Sequence, residues 1–251
     1  MEMRKVDAGR GWQWIVEGFG LFRKNPPTWI TLFVIYFLAA IVVSIIPVVG
    51  PLMMTLLAPA FTAGFMLACR DLEKGEELKL DYLIAGFKQN AGQLITVGGL
   101  YLVGSITILG LMMMGGGGAI LGSAALGHMQ GMEPNEMMVG AMGGMLIGLL
   151  IAAALLTPLL MAYWFAPALV ALRGLTATEA MKQSFFGCLR NWLPFLVYGV
   201  IAFILMMLAM IPFGLGMLVL VPVLSASIYA GYKDIFPAEA APEIEQPVQP
   251  D

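Results

Sequence analysis

The sequence is poor in charge, histidine and cysteine. Only 12% of its 251 residues are charged, whereas a soluble domain carries about 25%, and 60% are hydrophobic. The single histidine, His128, gives no zinc-protease spacing, and Cys69 and Cys188 belong to no Cys-x-x-Cys pair. These shortages exclude an ordinary soluble domain and a zinc site, and they leave no Ser/His/Asp triad within the membrane.

Charge is also missing from the long apolar runs. Runs of roughly 20 residues match the length needed to cross a ~30 Å hydrocarbon core. Ionisable residues at membrane depth are typical of proton relays and ion paths, and the predicted spans contain none. The pattern predicts an all-α polytopic membrane protein that is neither an enzyme nor a proton-coupled carrier. The predicted spans are 28–46, 52–69, 93–114, a fourth within 135–171, 193–211 and 215–232.

All thirteen Lys and Arg residues fall on one side of these spans. They precede the first span, occupy the connections between spans two and three and between spans four and five, and follow the sixth. The connections on the other side, 47–51, 115–136 and 212–214, contain none. The positive-inside rule therefore predicts cytoplasmic N- and C-termini. No signal-peptide cleavage site follows the first span, so we expect that span to remain as an anchor.

A unit of one amphipathic helix followed by two spans occurs three times within a single membrane domain, 1–236. The copies are 11–71, 79–173 and 176–234. In each amphipathic segment the apolar residues recur at helical spacing, which predicts a helix lying at the membrane interface. At the interface an indole can bury its ring among the lipid chains while its N–H stays hydrated. Trp12, Trp14 and Trp192 are the predicted interfacial anchors.

Matching landmarks support the repeat. An asparagine closes each amphipathic segment and a proline lies inside each second span, and these pairs are 34, 68 and 31 residues apart. The middle copy therefore carries an insertion of about 35 residues, rich in Gly and Met, over about 112–138. The prolines, Pro59, Pro158 and Pro222, either kink the helices or border a binding path at the midplane. The acidic, Pro-rich tail, 237–251, is predicted to be disordered.

Two further features concern partners and metals. Gly140, Gly144, Gly148 and Ala152 recur every four residues, which predicts close helix packing, either within the chain or with a second copy or another membrane protein. The methionines of the insertion, together with His128, are soft ligands of the type that Cu(I) prefers. Most of these methionines lie in apolar spans, where methionine fills gaps. We therefore expect no metal and no cofactor.

The chain resembles an uncharacterised family of small multipass inner-membrane proteins of proteobacteria. The resemblance rests on 10–14 (RGWQW), Glu17-Gly18-Phe19, 21–26 (LFRKNP) and 47–51 (PVVGP). More distantly, the plan is similar to the membrane domain attached to some glycerophosphodiester phosphodiesterases. The resemblance implies a six-span fold in the bacterial inner membrane, and it brings no catalytic residues.

The sequence as a whole predicts a non-enzymatic membrane scaffold or accessory subunit. Its partners would be the lipid bilayer and a second copy or another membrane protein, with no nucleic acid. The alternative is a small permease or exporter for an apolar or zwitterionic solute, whose path the proline-broken spans would line.

Overall fold

The computed structural model describes residues 3–114 and 134–237, and every regular element within them is helical. Six segments are long and apolar enough to cross a membrane, so the predicted all-α class with six spans is confirmed. Residues 115–133 of the Gly/Met-rich insertion, and the tail from 238, lie outside the described residues. The helices are α1 (Arg10–Lys24), α2 (Pro26–Ser44), α3 (Val49–Glu73), α4 (Tyr82–Lys88), α5 (Ala91–Met112), α6 (Pro134–Trp164), α7 (Ala166–Arg173), α8 (Ala177–Arg190), α9 (Trp192–Met210) and α10 (Met217–Ile235).

The first span begins where the sequence predicts a helix start. The side chain of Asn25 accepts a hydrogen bond from the Thr28 N–H at 3.4 Å, and two prolines occupy the first turn of α2. α2 and α3 join in a tight turn, in which Val48 has a φ of 64°. A Cβ added at Gly50 would overlap the carbonyl group of Val43, so this turn requires glycine.

The second spans of the first and third units continue past their apolar runs. α3 extends to Glu73 and α10 to Ile235, so their last turns carry Arg70, Asp71 and Lys233. Basic residues in a last turn also complement the negative end of the helix dipole. The spans are free of charge only along their apolar lengths.

The fourth span breaks after Trp164. Met161 C=O and Phe165 N–H would bond each other in a continuous helix. Instead the Ser184 hydroxyl of α8 accepts from the Phe165 N–H at 2.9 Å and donates to the Met161 carbonyl at 2.6 Å. A side chain inserted in the hydrogen-bond ladder opens the helix. Pro167 then lies in the first turn of α7, while Pro158 stays inside α6.

The amphipathic helices α1, α4 and α8 each pack on a second span. Each packs on the second span of the preceding unit, and the first unit packs in the same way on the last, so the arrangement is cyclic. α4 packs on α3, α8 packs on α6, and α1 packs on α10. Glycines allow the close approach: a Cβ at Gly18 would collide with the backbone of Val223 and Ser227, and one at Gly86 with that of Ala60. The first helix therefore lies against the last one. That the three units are true repeats stays a prediction.

The most tightly packed core lies at the end of the bundle that carries the Lys and Arg residues, here called the basic end. Its largest fully buried side chains are Trp14, Trp29, Phe165 and Phe236. Among the residues described at the opposite end, Ile211 and Phe213 in the turn between α9 and α10 are 75% and 101% exposed. This distribution suits a bundle whose apolar outer half is solvated by lipid.

Candidate functional site

A cavity of about 610 Å³ lies between α2, α3, α9, α10 and the end of α6. Its size is within the range of sites that hold small molecules. Seven aromatic rings contribute to its walls, namely Phe33, Tyr36, Phe61, Phe65, Trp164, Phe195 and Tyr198. We call it the central cavity.

The spacing of residues along α9 forms one wall. Phe195, Tyr198, Gly199 and Ala202 recur at three to four residues and share a helix face. The two small residues leave room between the rings. A Cβ added at Gly199 would meet nothing within 4 Å, so a larger side chain there would enter open space.

The rings hold one another in place. Phe33 stacks on Phe65 with centroids 4.5 Å apart, and Tyr36 meets Phe65 edge to face at 5.9 Å. On the other wall Trp164 meets Phe195 and Tyr198 edge to face at 5.9 and 6.1 Å. These are the preferred geometries of aromatic pairs, so the rings of each wall support one another.

The polar side-chain groups among the lining residues are hydroxyls and the indole N–H of Trp164, and none of these residues is charged. The Thr62 hydroxyl donates to the Ala58 carbonyl at 3.0 Å. Tyr198 and Ser227 share a hydrogen bond of 2.9 Å between their hydroxyl oxygens. A ligand that fits this chemistry is mainly apolar and has no net charge, because a buried charge without a partner is costly.

Two of the three singled-out prolines lie beside the central cavity. Pro59 is buried two residues before Phe61, and Pro222 is buried next to the lining residue Val221. Each proline removes the N–H that would bond the carbonyl four residues earlier. Pro158 lies well before Trp164 in α6 and does not line the cavity.

A belt of polar contacts joins the two cavity helices at the basic end. Glu73 of α3 accepts a hydrogen bond from the Tyr229 hydroxyl at 2.9 Å and pairs with Lys233, both on α10. Two residues before Glu73, Asp71 of α3 accepts a hydrogen bond of 3.0 Å from the hydroxyl of Tyr82, the first residue of α4. Burial and this hydrogen bond raise the pKa of Tyr82 to about 12. The belt holds α3 and α10 together above the cavity.

The three predicted anchors differ in position. Trp12 and Trp192 are 48% and 56% exposed, as an interfacial residue requires. Trp14 is a correction, because its ring is 1% exposed and its Nε1 donates to the Asp234 carboxylate at 2.7 Å. α1 crosses α9 and α10, so the side of α1 that carries Trp14 faces protein rather than lipid.

The small-residue ridge of α6 is partly covered. Gly144, Gly148 and Ala152 are buried, whereas Gly140 is exposed and a Cβ there would meet nothing within 4 Å. The described residues contain no group of three metal-ligating His, Cys, Asp or Glu side chains. His128 and the methionines near it lie outside that part of the chain.

The central cavity was not predicted from the sequence. Phe33 with Tyr36, and Phe61 with Phe65, are aromatic pairs three to four residues apart within two spans, and that spacing was a usable signal. Ser184 and Asp234 were also missed. Nothing in the sequence distinguishes Ser184 from other small residues of a helix.

Comparisons with known proteins agree with this architecture. The family model described as "Domain of unknown function (DUF7847)" matches residues 15–249. A probable inner membrane protein of Burkholderia thailandensis is 36% identical over 234 residues, which cover 92% of this chain and 84% of that protein. No solved structure matches the chain. The relative and the six apolar helices support a multipass location in the membrane.

Proposed function

We propose that this chain, which belongs to the family described as a domain of unknown function (DUF7847), is a non-enzymatic membrane protein that binds an uncharged or zwitterionic amphipathic molecule in its central cavity. The role that follows is that of a small permease or exporter. The main support for this proposal is an aromatic cavity of about 610 Å³ between two proline-containing spans. From the sequence alone this role ranked second to a scaffold, and the cavity moves it to first place.

The proline positions support transport in particular. Proline-containing spans in corresponding positions of repeated units are a pointer to transporter binding sites, and here α3 and α10 both continue as helices through their prolines. Pro59 and Pro222 occupy corresponding positions of α3 and α10 and lie next to cavity residues. These two helices also meet through Glu73 and Lys233. A movement of α10 relative to α3 would therefore open or close the basic end of the cavity.

The orientation is part of the proposal. All thirteen Lys and Arg residues lie at the basic end or in the segments joined to it, and the positive-inside rule places such an end in the cytoplasm. Both termini are then cytoplasmic, and the cavity lies on the cytoplasmic side of the inner membrane. The more distant likeness to the phosphodiesterase membrane domain stays a prediction and contributes no residue to the site.

Native mass spectrometry of the protein, gently extracted from its own membrane, tests the ligand. We expect one small molecule to be retained reproducibly. Gly199→Leu adds a side chain at a lining position, in space that the structure leaves open, and should abolish retention. Gly110→Leu is the matched control, since Gly110 is also exposed on a span with nothing within 4 Å of an added Cβ. Retention that is equal in wild type and Gly199→Leu would overturn the proposal.

The second candidate is the scaffold or accessory subunit, and one observation favours it. The outer half of α6 exposes large apolar side chains beside the small-residue ridge, including Val139, Met142 and Met145 at 66%, 64% and 69%. A partner helix would approach closely at such a ridge. In this case the extracted protein would carry a second polypeptide or a second copy, and Gly140→Leu would release it.

A further inference from the structure

A second apolar groove, of about 580 Å³, lies beneath α1 where that helix crosses α9 and α10. It shares no lining residue with the central cavity. Trp12, Val16 and Phe19 form its roof, and they are 48%, 48% and 44% exposed. Leu208 of α9 and Val219 of α10 are among the residues of its walls. We call it the α1 groove.

The shape of the α1 groove suits an extended hydrocarbon chain. Its wall residues on α10 run from the turn before the helix to Val223, and at 1.5 Å per residue this is a length of about 10 Å. The lining is almost wholly apolar side chains. An acyl chain lying along the hairpin would bury the apolar side of α1, which is otherwise in contact with bulk lipid.

A cation lies at the rim of the groove. Arg23 is one helical turn beyond Phe19, and its guanidinium carbon is 5.8 Å from the centre of that ring. Among the residues that the structure describes, no carboxylate pairs with Arg23, whereas Arg10 on the same helix pairs with Glu17 and Asp234. The exposed guanidinium is therefore available to a phosphate at headgroup depth.

We propose that the α1 groove is a binding site for one anionic phospholipid, with an acyl chain beneath Trp12 and Phe19 and its phosphate on Arg23. Charge complementarity at the rim selects an anionic headgroup over a zwitterionic one. The site is independent of the central cavity, so either can fail without the other.

Quenching of Trp12 fluorescence by brominated lipids tests the site. The full-length protein is placed in phosphatidylcholine vesicles that contain a small, equal fraction of either brominated phosphatidylglycerol or brominated phosphatidylcholine. Trp12→Phe gives the contribution of the other four tryptophans, which is subtracted. We expect phosphatidylglycerol to quench Trp12 more than phosphatidylcholine does.

Two variants and one control decide the origin of this preference. Arg23→Gln should reduce the preference for phosphatidylglycerol about 5-fold, which is the effect of one basic residue near a charged lipid. Val219→Phe should reduce quenching by both lipids, because the larger side chain fills the groove. Lys88→Gln is the control. Lys88 lies two residues before Asn90, just as Arg23 lies two residues before Asn25, but its neighbours are acidic residues rather than the α1 groove. Equal quenching by the two lipids, or an unchanged preference in Arg23→Gln, would overturn the proposal.

Discussion

The indole N–H of Trp14 donates a hydrogen bond of 2.7 Å to the carboxylate of Asp234, a residue 220 positions later in the chain. Arg10, one turn before Trp14, pairs with the same carboxylate. The first helix and the last are thus joined by a partly buried hydrogen bond and an ion pair on one carboxylate. The pKa of Arg10 is raised, chiefly by its hydrogen bond to Asp234.

Trp14→Phe should destabilise the protein. The substitution keeps an aromatic ring but removes a hydrogen bond to a charged group, which contributes about 2 kcal/mol. Thermal unfolding in mild detergent should show a lower midpoint. Trp12→Phe, at an exposed position of the same helix, should change the free energy of unfolding by less than about 0.5 kcal/mol. Equal effects of the two variants would contradict a specific role for Trp14.

Two glycines of α1 should respond to alanine in opposite directions. A Cβ at Gly18 would lie 2.5 Å from the Val223 carbonyl oxygen, so Gly18→Ala should force α1 away from α10 at a cost of about 1–3 kcal/mol. Gly20 has nothing within 4 Å, and Gly20→Ala should stabilise the helix by up to about 1 kcal/mol. Unfolding midpoints of both variants, measured together, check the crossing of α1 and α10.

Removing the Ser184 hydroxyl should loosen the junction of α6 and α7. Ser184→Ala leaves the buried Phe165 N–H and Met161 carbonyl without their shared partner, at a cost of about 1–3 kcal/mol. Hydrogen exchange at the Phe165 amide should become faster. Thr178→Ala, at an exposed position of the same helix, is the control. The inserted hydroxyl would be dispensable if exchange at Phe165 were unchanged.

Cys188 should react slowly with thiol reagents. Burial raises its pKa from an ordinary value near 9 to about 12, against a smaller opposite effect of a hydrogen bond with Ser184. At pH 8 the thiolate fraction is then roughly a thousandfold lower than that of a free cysteine. Alkylation should rise steadily through pH 8–10, where a free thiol levels off, and denatured protein provides that reference.

The same shift has a consequence for stability. The folded state keeps the thiol neutral, so its contribution is complete below the pKa of the unfolded chain and is lost as the pH rises toward about 12. Replacement of Cys188 by Ala should therefore reduce the loss of stability above pH 9. If the stability of the variant fell with pH as it does in wild type, Cys188 would not be the cause of the loss above pH 9.

Labelling of introduced cysteines should establish the orientation. Phe213 is fully exposed in the turn between α9 and α10, and Glu77 is exposed on the connection between α3 and α4. Phe213→Cys should react with a membrane-impermeant reagent added to the periplasmic side, and Glu77→Cys only after the inner membrane is opened. The reverse pattern would overturn cytoplasmic termini.

Hydropathy predicted the spans well because it depends only on local composition. The first span was expected at 28–46 and is Pro26–Ser44, and the fifth was expected at 193–211 and is Trp192–Met210. The resemblance to an uncharacterised membrane-protein family is also confirmed. These features depend on the residues of each segment alone, so they can be predicted from the sequence without knowing how the helices pack.

Features that depend on how helices face one another were not predicted. Both sides of α1 carry tryptophan, and composition cannot tell that Trp14 faces Asp234 while Trp12 faces outward. The start of α8 is a second example, since the Thr176 side chain makes no capping hydrogen bond and the Ala177 N–H donates to Gln93 of α5 at 2.8 Å. In both cases a long-range partner decides the local structure.

The cyclic packing of the amphipathic helices constrains how the chain is made. α4 and α8 can dock on spans that precede them, but α1 requires α10, which leaves the ribosome more than 200 residues later. At the usual rates of bacterial synthesis this is a wait of roughly 10–40 s. During that time the apolar side of α1 has only lipid, or a chaperone, to cover it. Docking of α1 on α10 therefore has to wait until α10 is made, and we expect a chain truncated before α10 to expose an undocked α1 to the cell's quality-control proteases.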